Sequence, residues 1–125
     1  MTGAAGYLDA FALPVPRDGL DNYRGHAAQA LQVWMDHGAL SAVEAVADDV
    51  PDGTVTSFPM AVKLEPGEVV VVSFITYRDR AHRDEVNARV IADPRMQHDD
   101  VERPFDGRRL IWGGFVPILT AGAFA

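Results

Sequence analysis

The chain contains no cysteine. That absence removes disulfides, thiolate metal sites and thiol nucleophiles together. It suits a reducing compartment, so the expected location is cytoplasmic. Long apolar runs are also missing. The densest, residues 69–72, is far too short to span a bilayer. Residues 1–6 offer neither the basic stretch nor the apolar core of a secretory signal, and no membrane partner is expected. Positive charge is scarce: 18 acidic residues face 11 basic ones, a net charge of −7. A nucleic-acid surface needs a basic patch strong enough to overcome that field. The basic residues offer only the pair Arg108-Arg109, with Arg78, Arg80 and Arg83 interleaved with Asp79 and Asp84. Nucleic acid is therefore not an expected partner.

Familiar catalytic signatures are absent as well. Ser41, Ser57 and Ser73 have no G-x-S-x-G context. Gly113-Gly114 belongs to no phosphate-binding loop. His26, His37, His82 and His98 include no H-x3-H pair, so no metal and no cofactor is expected.

What is present reads as one α+β domain over residues 1–125, with a core at 7–119 and a tail at 120–125. Residues 7–15 alternate in a period of two, with aromatics, and predict a strand that Pro14 and Pro16 end. Asp18 is placed to cap a helix in which Leu20, Tyr23, Ala27, Leu31 and Trp34 form one stripe, closed by His37-Gly38. Residues 40–48 alternate again, with Leu40, Ala42, Glu44, Val46 and Asp48 on one side. Residues 54–64 read either as a short helix begun at Ser57-Phe58-Pro59 or as an irregular loop. Residues 69–77 are β-branched and aromatic throughout and predict a strand buried on both faces. Asp79 caps a helix over 81–92 that Asp93-Pro94 stops. A polar connection, 95–107, leads to a last strand over 109–119, where Gly113-Gly114 marks a bulge or a close backbone approach.

The order strand, helix, strand, strand, helix, strand predicts a ferredoxin-like four-stranded antiparallel sheet with two helices on one face. The other face is left uncovered, yet Val70, Val72 and Phe74 point to it. Leaving apolar surface in water costs roughly 25 cal/mol per Å². The expected remedy is a homodimer, sheet against sheet about a two-fold axis.

Six segments carry a resemblance. They are Phe11-Ala12-Leu13-Pro14-Val15-Pro16, His37-Gly38-Ala39-Leu40, Asp48-Asp49-Val50-Pro51, Thr56-Ser57-Phe58-Pro59-Met60-Ala61-Val62-Lys63, Arg80-Ala81-His82-Arg83-Asp84, and residues 104–115, which include Ile111-Trp112-Gly113-Gly114-Phe115. With them the chain resembles the YbaA-like family of uncharacterised bacterial proteins over residues 7–117. That resemblance implies membership of the dimeric α/β-barrel superfamily, and hence the dimer. It implies no reaction, because the wider superfamily mixes cofactor-free oxygenases, haem-binding proteins and non-catalytic modules.

Candidate chemistry rests on few residues. Glu44, mid-strand beside Ala42 and Val46, is a general base or ligand anchor whose protonation burial would tune. The plainer reading is a solvated carboxylate, or one paired with an arginine such as Arg109. His82, in the first turn of the second helix, is the other catalytic candidate, against a plainer reading as a packed, hydrogen-bonded histidine. Asp9, Tyr77, Arg109 and Trp112 are candidate ligand contacts. For Asp9 the plainer role is a backbone partner at a strand end, and for Trp112 and Trp34 it is anchoring of the core or interface. The apolar residues Phe58, Met60 and Val62 lie over the barrel mouth or clasp a second subunit. Two functions follow: a non-catalytic or small-apolar-molecule-binding homodimer, or a cofactor-free oxygenase or isomerase using a barrel carboxylate as base.

Overall fold

A computed structural model of the chain describes residues 6–97 and 104–123. His98 and part of the 95–107 connection lie outside the described residues, as do the ends of the chain. The fold is α+β, with a four-stranded antiparallel sheet and three helices. Strands β1 (Tyr7–Pro16), β2 (Ser41–Val46), β3 (Glu68–Tyr77) and β4 (Ile111–Phe115) stand in the order β2-β3-β1-β4. Helices are α1 (Leu20–Asp36), α2 (Phe58–Ala61) and α3 (Arg80–Ala92).

Register sorts the side chains by face. Tyr7 pairs with Tyr77, Asp9 with Ile75, Phe11 with Ser73 and Leu13 with Val71. These residues point toward α1 and α3, and Val33, Val86 and Val90 close the core over them. On β2, Glu44 lies opposite Ser73 and shares that helix-covered face. The alternate residues, Ala10, Ala12, Val72 and Phe74, point the other way, because successive strand side chains alternate.

Several boundaries differ from the sequence expectation. Asp18 does not cap α1. A 3-10 turn at Arg17–Gly19 intervenes, and Gly19 is the N-cap with no side-chain hydrogen bond. Pro16 sets the chain direction there, and one further turn is needed before the stripe of α1 meets the sheet. Asp79 does cap α3, accepting from the His82 amide at 2.8 Å. Residues 57–61 form a helix rather than a loop: the Ser57 hydroxyl accepts from the Met60 amide, with Pro59 in the first turn. This third helix lies on the face the two-helix expectation left bare. Val62, just after it, is fully buried with Ala12 and Val70. Thus 58–64 covers part of that face, while Phe58 and Met60 stay exposed.

Strand β4 ends at Phe115, not at 119. Phe115 pairs with Leu8, one residue from the start of β1, so the chain beyond has no neighbour to pair with. Pro117 also lacks an amide to donate. Gly113 and Gly114 make no bulge, since the register runs unbroken from Ile111 to Phe115. The close approach is real at Gly114: an added Cβ would lie 2.3 Å from the Tyr7 hydroxyl and 2.7 Å from the Arg83 guanidinium.

Candidate functional site

Between α1 and the helix-covered face of the sheet lies a cavity of about 190 Å³. Its walls are mostly apolar. Phe11, Leu13 and Ile75 come from the sheet, and Ala27, Leu31 and Trp34 from α1. Met96, Phe105 and Leu110 close one side. The spacing of α1 explains the wall: Tyr23, Ala27 and Trp34 recur on one stripe that the sheet must cover.

One carboxylate enters this space. The Tyr23 hydroxyl donates to Glu44 Oε1 at 2.6 Å, and Ser73 supplies a further hydrogen bond. Burial pushes the Glu44 carboxyl above its ordinary value, and the two hydrogen bonds only partly offset that. The same burial, together with the Glu44 charge, drives the Tyr23 phenol well above the usual range. No salt bridge to Glu44 occurs among the described residues. His26 lines the cavity edge-on to Phe105, their ring centroids 6.1 Å apart.

A second polar cluster sits further along the same sheet face and is packed by the chain itself, with Asp9 Oδ1 and Arg83 Nε lacking hydrogen-bond partners among the described residues. Asp9 is only 1% exposed. Its Oδ2 accepts from the Tyr77 hydroxyl at 3.1 Å and the Asn87 amide at 3.4 Å, while Arg83 Nε lies 3.7 Å from Oδ1. Arg83 also donates to the Tyr7 hydroxyl at 3.0 Å and stacks over the Tyr7 ring. Burial raises the Tyr77 phenol well above its usual range, and the Asp9 charge adds to this. Trp34 joins the two regions: its ring lines the cavity, and its indole N–H donates to Asn87.

The residues singled out from sequence are thereby separated. Glu44 lines the cavity, whereas His82 is packed elsewhere. The His82 Nδ1 accepts from the Arg78 amide at 3.0 Å, and its ring meets Tyr77 edge to face. Asp9 and Tyr77 belong to the packed cluster. Arg109 does not reach Glu44; its guanidinium clamps both oxygens of Glu68 and also binds Asp106. Hydrogen bonds from Arg108, and to a lesser extent from Arg109, hold the Asp106 carboxyl low, at about 2. Trp112 stacks on Phe11, a cavity residue, with centroids 6.3 Å apart and planes at 21°. Sequence reasoning missed Tyr23 as the partner of Glu44. The available signal was that both sit on inward-facing periodicities, α1 by threes and fours and β2 by twos.

A family model described as a protein of unknown function, DUF1428, matches residues 6–107 of the chain. The uncharacterized protein YbaA of Escherichia coli (strain K12) is 48% identical over 113 residues, covering 90% of this chain and 97% of that protein. The chain belongs to the DUF1428 family. A YbaA protein of Shigella flexneri matches to the same extent. Among solved structures, the de novo designed protein Foldit4 aligns at 12% identity with a TM-score of 0.45, covering 90% of this chain and 98% of that one. A likeness that distant carries no argument. DUF1428 membership assigns no reaction, so the chemistry rests on the cavity. Among the described residues no group of three His, Asp or Glu is placed to hold a metal, and no helix is long and apolar enough to cross a membrane.

Proposed function

We propose that this chain is a single ferredoxin-like domain, half of a homodimeric α/β barrel in the cytoplasm, and that each subunit binds one small, largely apolar molecule between α1 and the sheet. The observation that carries the binding reading is the cavity itself, apolar apart from Glu44, Ser73, His26 and the Tyr23 hydroxyl. Its size suits a single ring: a dry apolar cavity of roughly 150 Å³ holds benzene. A few converging polar groups in an apolar pocket are the usual signature of a ligand site. Glu44 and Tyr23 supply them, which favours a ligand with one hydrogen-bonding substituent, a phenol or an aniline, over a bare hydrocarbon. The homodimer is supported by the face opposite the helices, where Val43, Phe74, Ile111 and Phe115 stand exposed on one subunit.

The test is a titration of phenol, aniline and toluene into the protein, followed by calorimetry and thermal shift. Phenol or aniline is expected to bind more tightly than toluene, by about tenfold for one hydrogen bond near 1.4 kcal/mol. In Glu44→Gln that preference is expected to shrink. Failure of all three ligands to bind at millimolar concentration would overturn the reading.

A second reading, a cofactor-free oxygenase or isomerase, is favoured by one observation: the Glu44 carboxylate lines a mostly apolar cavity, where burial raises its carboxyl above the ordinary value, the direction that suits a general base. In that reading His82 acts as no partner to Glu44, because the two do not share the cavity.

A further inference from the structure

The sheet face that α2 covers only in part is not flat. It holds a groove of about 270 Å³ where the small residues Ala10, Ala12 and Gly113 sit beside Val72 and Ile111. Phe58, Phe74 and Phe115 form its walls. The placement of the small residues follows from register, since Ala10 lies beside Gly113 across the β1–β4 pair. Every residue lining the groove is uncharged.

The same chain carries an apolar segment with nothing to cover it. Beyond β4, Val116 is 67% exposed, Ile118 87% and Leu119 85%. No described residue after 115 lines the groove. The segment is uncharged too: residues 110–125 contain no Asp, Glu, Lys or Arg. In a chain of net charge −7 this matters. Two copies repel one another over most of their surface, and here a neutral segment and a neutral groove let them meet.

We propose that residues 116–119 of each copy lie in the groove of the other. The inference rests on the homodimer proposed above and specifies how its halves interlock. A two-fold axis presents each copy's segment to its partner's groove, so both unfilled surfaces are satisfied at once and no third protein is needed. The branched side chains of Ile118 and Leu119 fill space that the small residues leave open. The aromatic walls then grip the segment from both sides.

The cysteine-free chain makes the test clean. Ile118→Cys is mixed with Phe74→Cys and treated with a short bismaleimide, and Ile118→Cys mixed with Arg24→Cys, on the exposed face of α1, serves as the control. The groove pair is expected to yield at least ten times more covalent heterodimer than the control pair. Equal yields from a sample that sediments as a dimer overturn the interlock and leave the sheet-to-sheet dimer standing. A lone subunit at micromolar concentration overturns both. In a second measurement, the double variant Ile118→Asp, Leu119→Asp is expected to weaken dimerisation by 100-fold or more with an unchanged circular dichroism spectrum. An unchanged dimer Kd overturns the proposal. Both positions are exposed in the subunit, so the fold does not depend on them.

Discussion

Asp9 and Glu44 are carboxylates on the same helix-covered sheet face, one on β1 and one on β2, yet their surroundings are opposites. Asp9 is sealed among Arg83, Tyr77 and Asn87 in a packed region. Glu44 has a phenol and a hydroxyl for company, no salt bridge among the described residues, and a mostly apolar cavity beside it. A buried charge is costly unless it is paired and hydrogen-bonded. The first carboxylate meets that requirement through the hydrogen bonds to its Oδ2 and the nearby Arg83 charge, although Oδ1 and Arg83 Nε each lack a hydrogen-bond partner among the described residues. The second meets it only in part, and its raised pKa records the shortfall. A site left incomplete by the fold is where a ligand has something to add.

The contrast can be broken hardest at Asp9. Asp9→Ala removes the buried counter-charge of the Arg83 guanidinium and leaves it only the exposed Asp84 as an ion-pair partner, and breaking a buried pair in this way typically costs about 3–5 kcal/mol. Urea unfolding is expected to show a drop of that size; a change within about 0.5 kcal/mol would mean the cluster is not what holds this end together. A milder probe of the same region is Gly114→Ala. The new methyl group collides with Tyr7 and Arg83, and overpacking of this kind costs about 1–3 kcal/mol. The loss is expected in the thermal midpoint, and the addition of Asp9→Ala should not double it, since the two changes disturb one network.

At Glu44 the effect is smaller and takes the form of a pH dependence. Folding raises this carboxyl above its ordinary value of 4.5. Its contribution to stability is therefore fully present below 4.5 and is lost as the pH rises through the raised folded value. Glu44→Gln removes that loss. Relative to the parent, the variant is expected to gain stability between pH 4.5 and neutrality, by under about 1 kcal/mol because water screens a half-buried group. Denaturation curves across that range decide it. A variant that instead loses stability on the alkaline side would put Glu44 in the same class as Asp9.

How far the sequence discloses this arrangement depends on the range of each interaction. Strand β3 was legible because Val69, Val71, Ile75 and Tyr77 on one side and Val70, Val72 and Phe74 on the other are all apolar, and α1 because Tyr23, Ala27 and Trp34 keep one stripe. Asp79 was legible as a cap because capping is settled within three residues. The start of α1 was not, because the 3-10 turn at Arg17–Gly19 answers to where the helix must land on the sheet. The end of β4 was not, because Ile118 and Leu119 look like strand residues and only the position of β1 denies them a partner. At the site, Glu44 stood out as a carboxylate among apolar neighbours, but its bond to Tyr23 joins two elements that only the folded chain brings together. His82 was selected for its place in a helix's first turn, a local property that says nothing about which cavity the ring reaches.

Trp34 touches both regions: its ring forms part of the cavity wall, and its N–H is held by Asn87 of the packed cluster. The chain has two tryptophans, and the other, Trp112, rests on the cavity residue Phe11. The molecule thus carries its own optical reporter. Indole emission shifts with local polarity and quenching, so an occupant settling against these rings changes the light they give off, with no dye attached and no residue replaced.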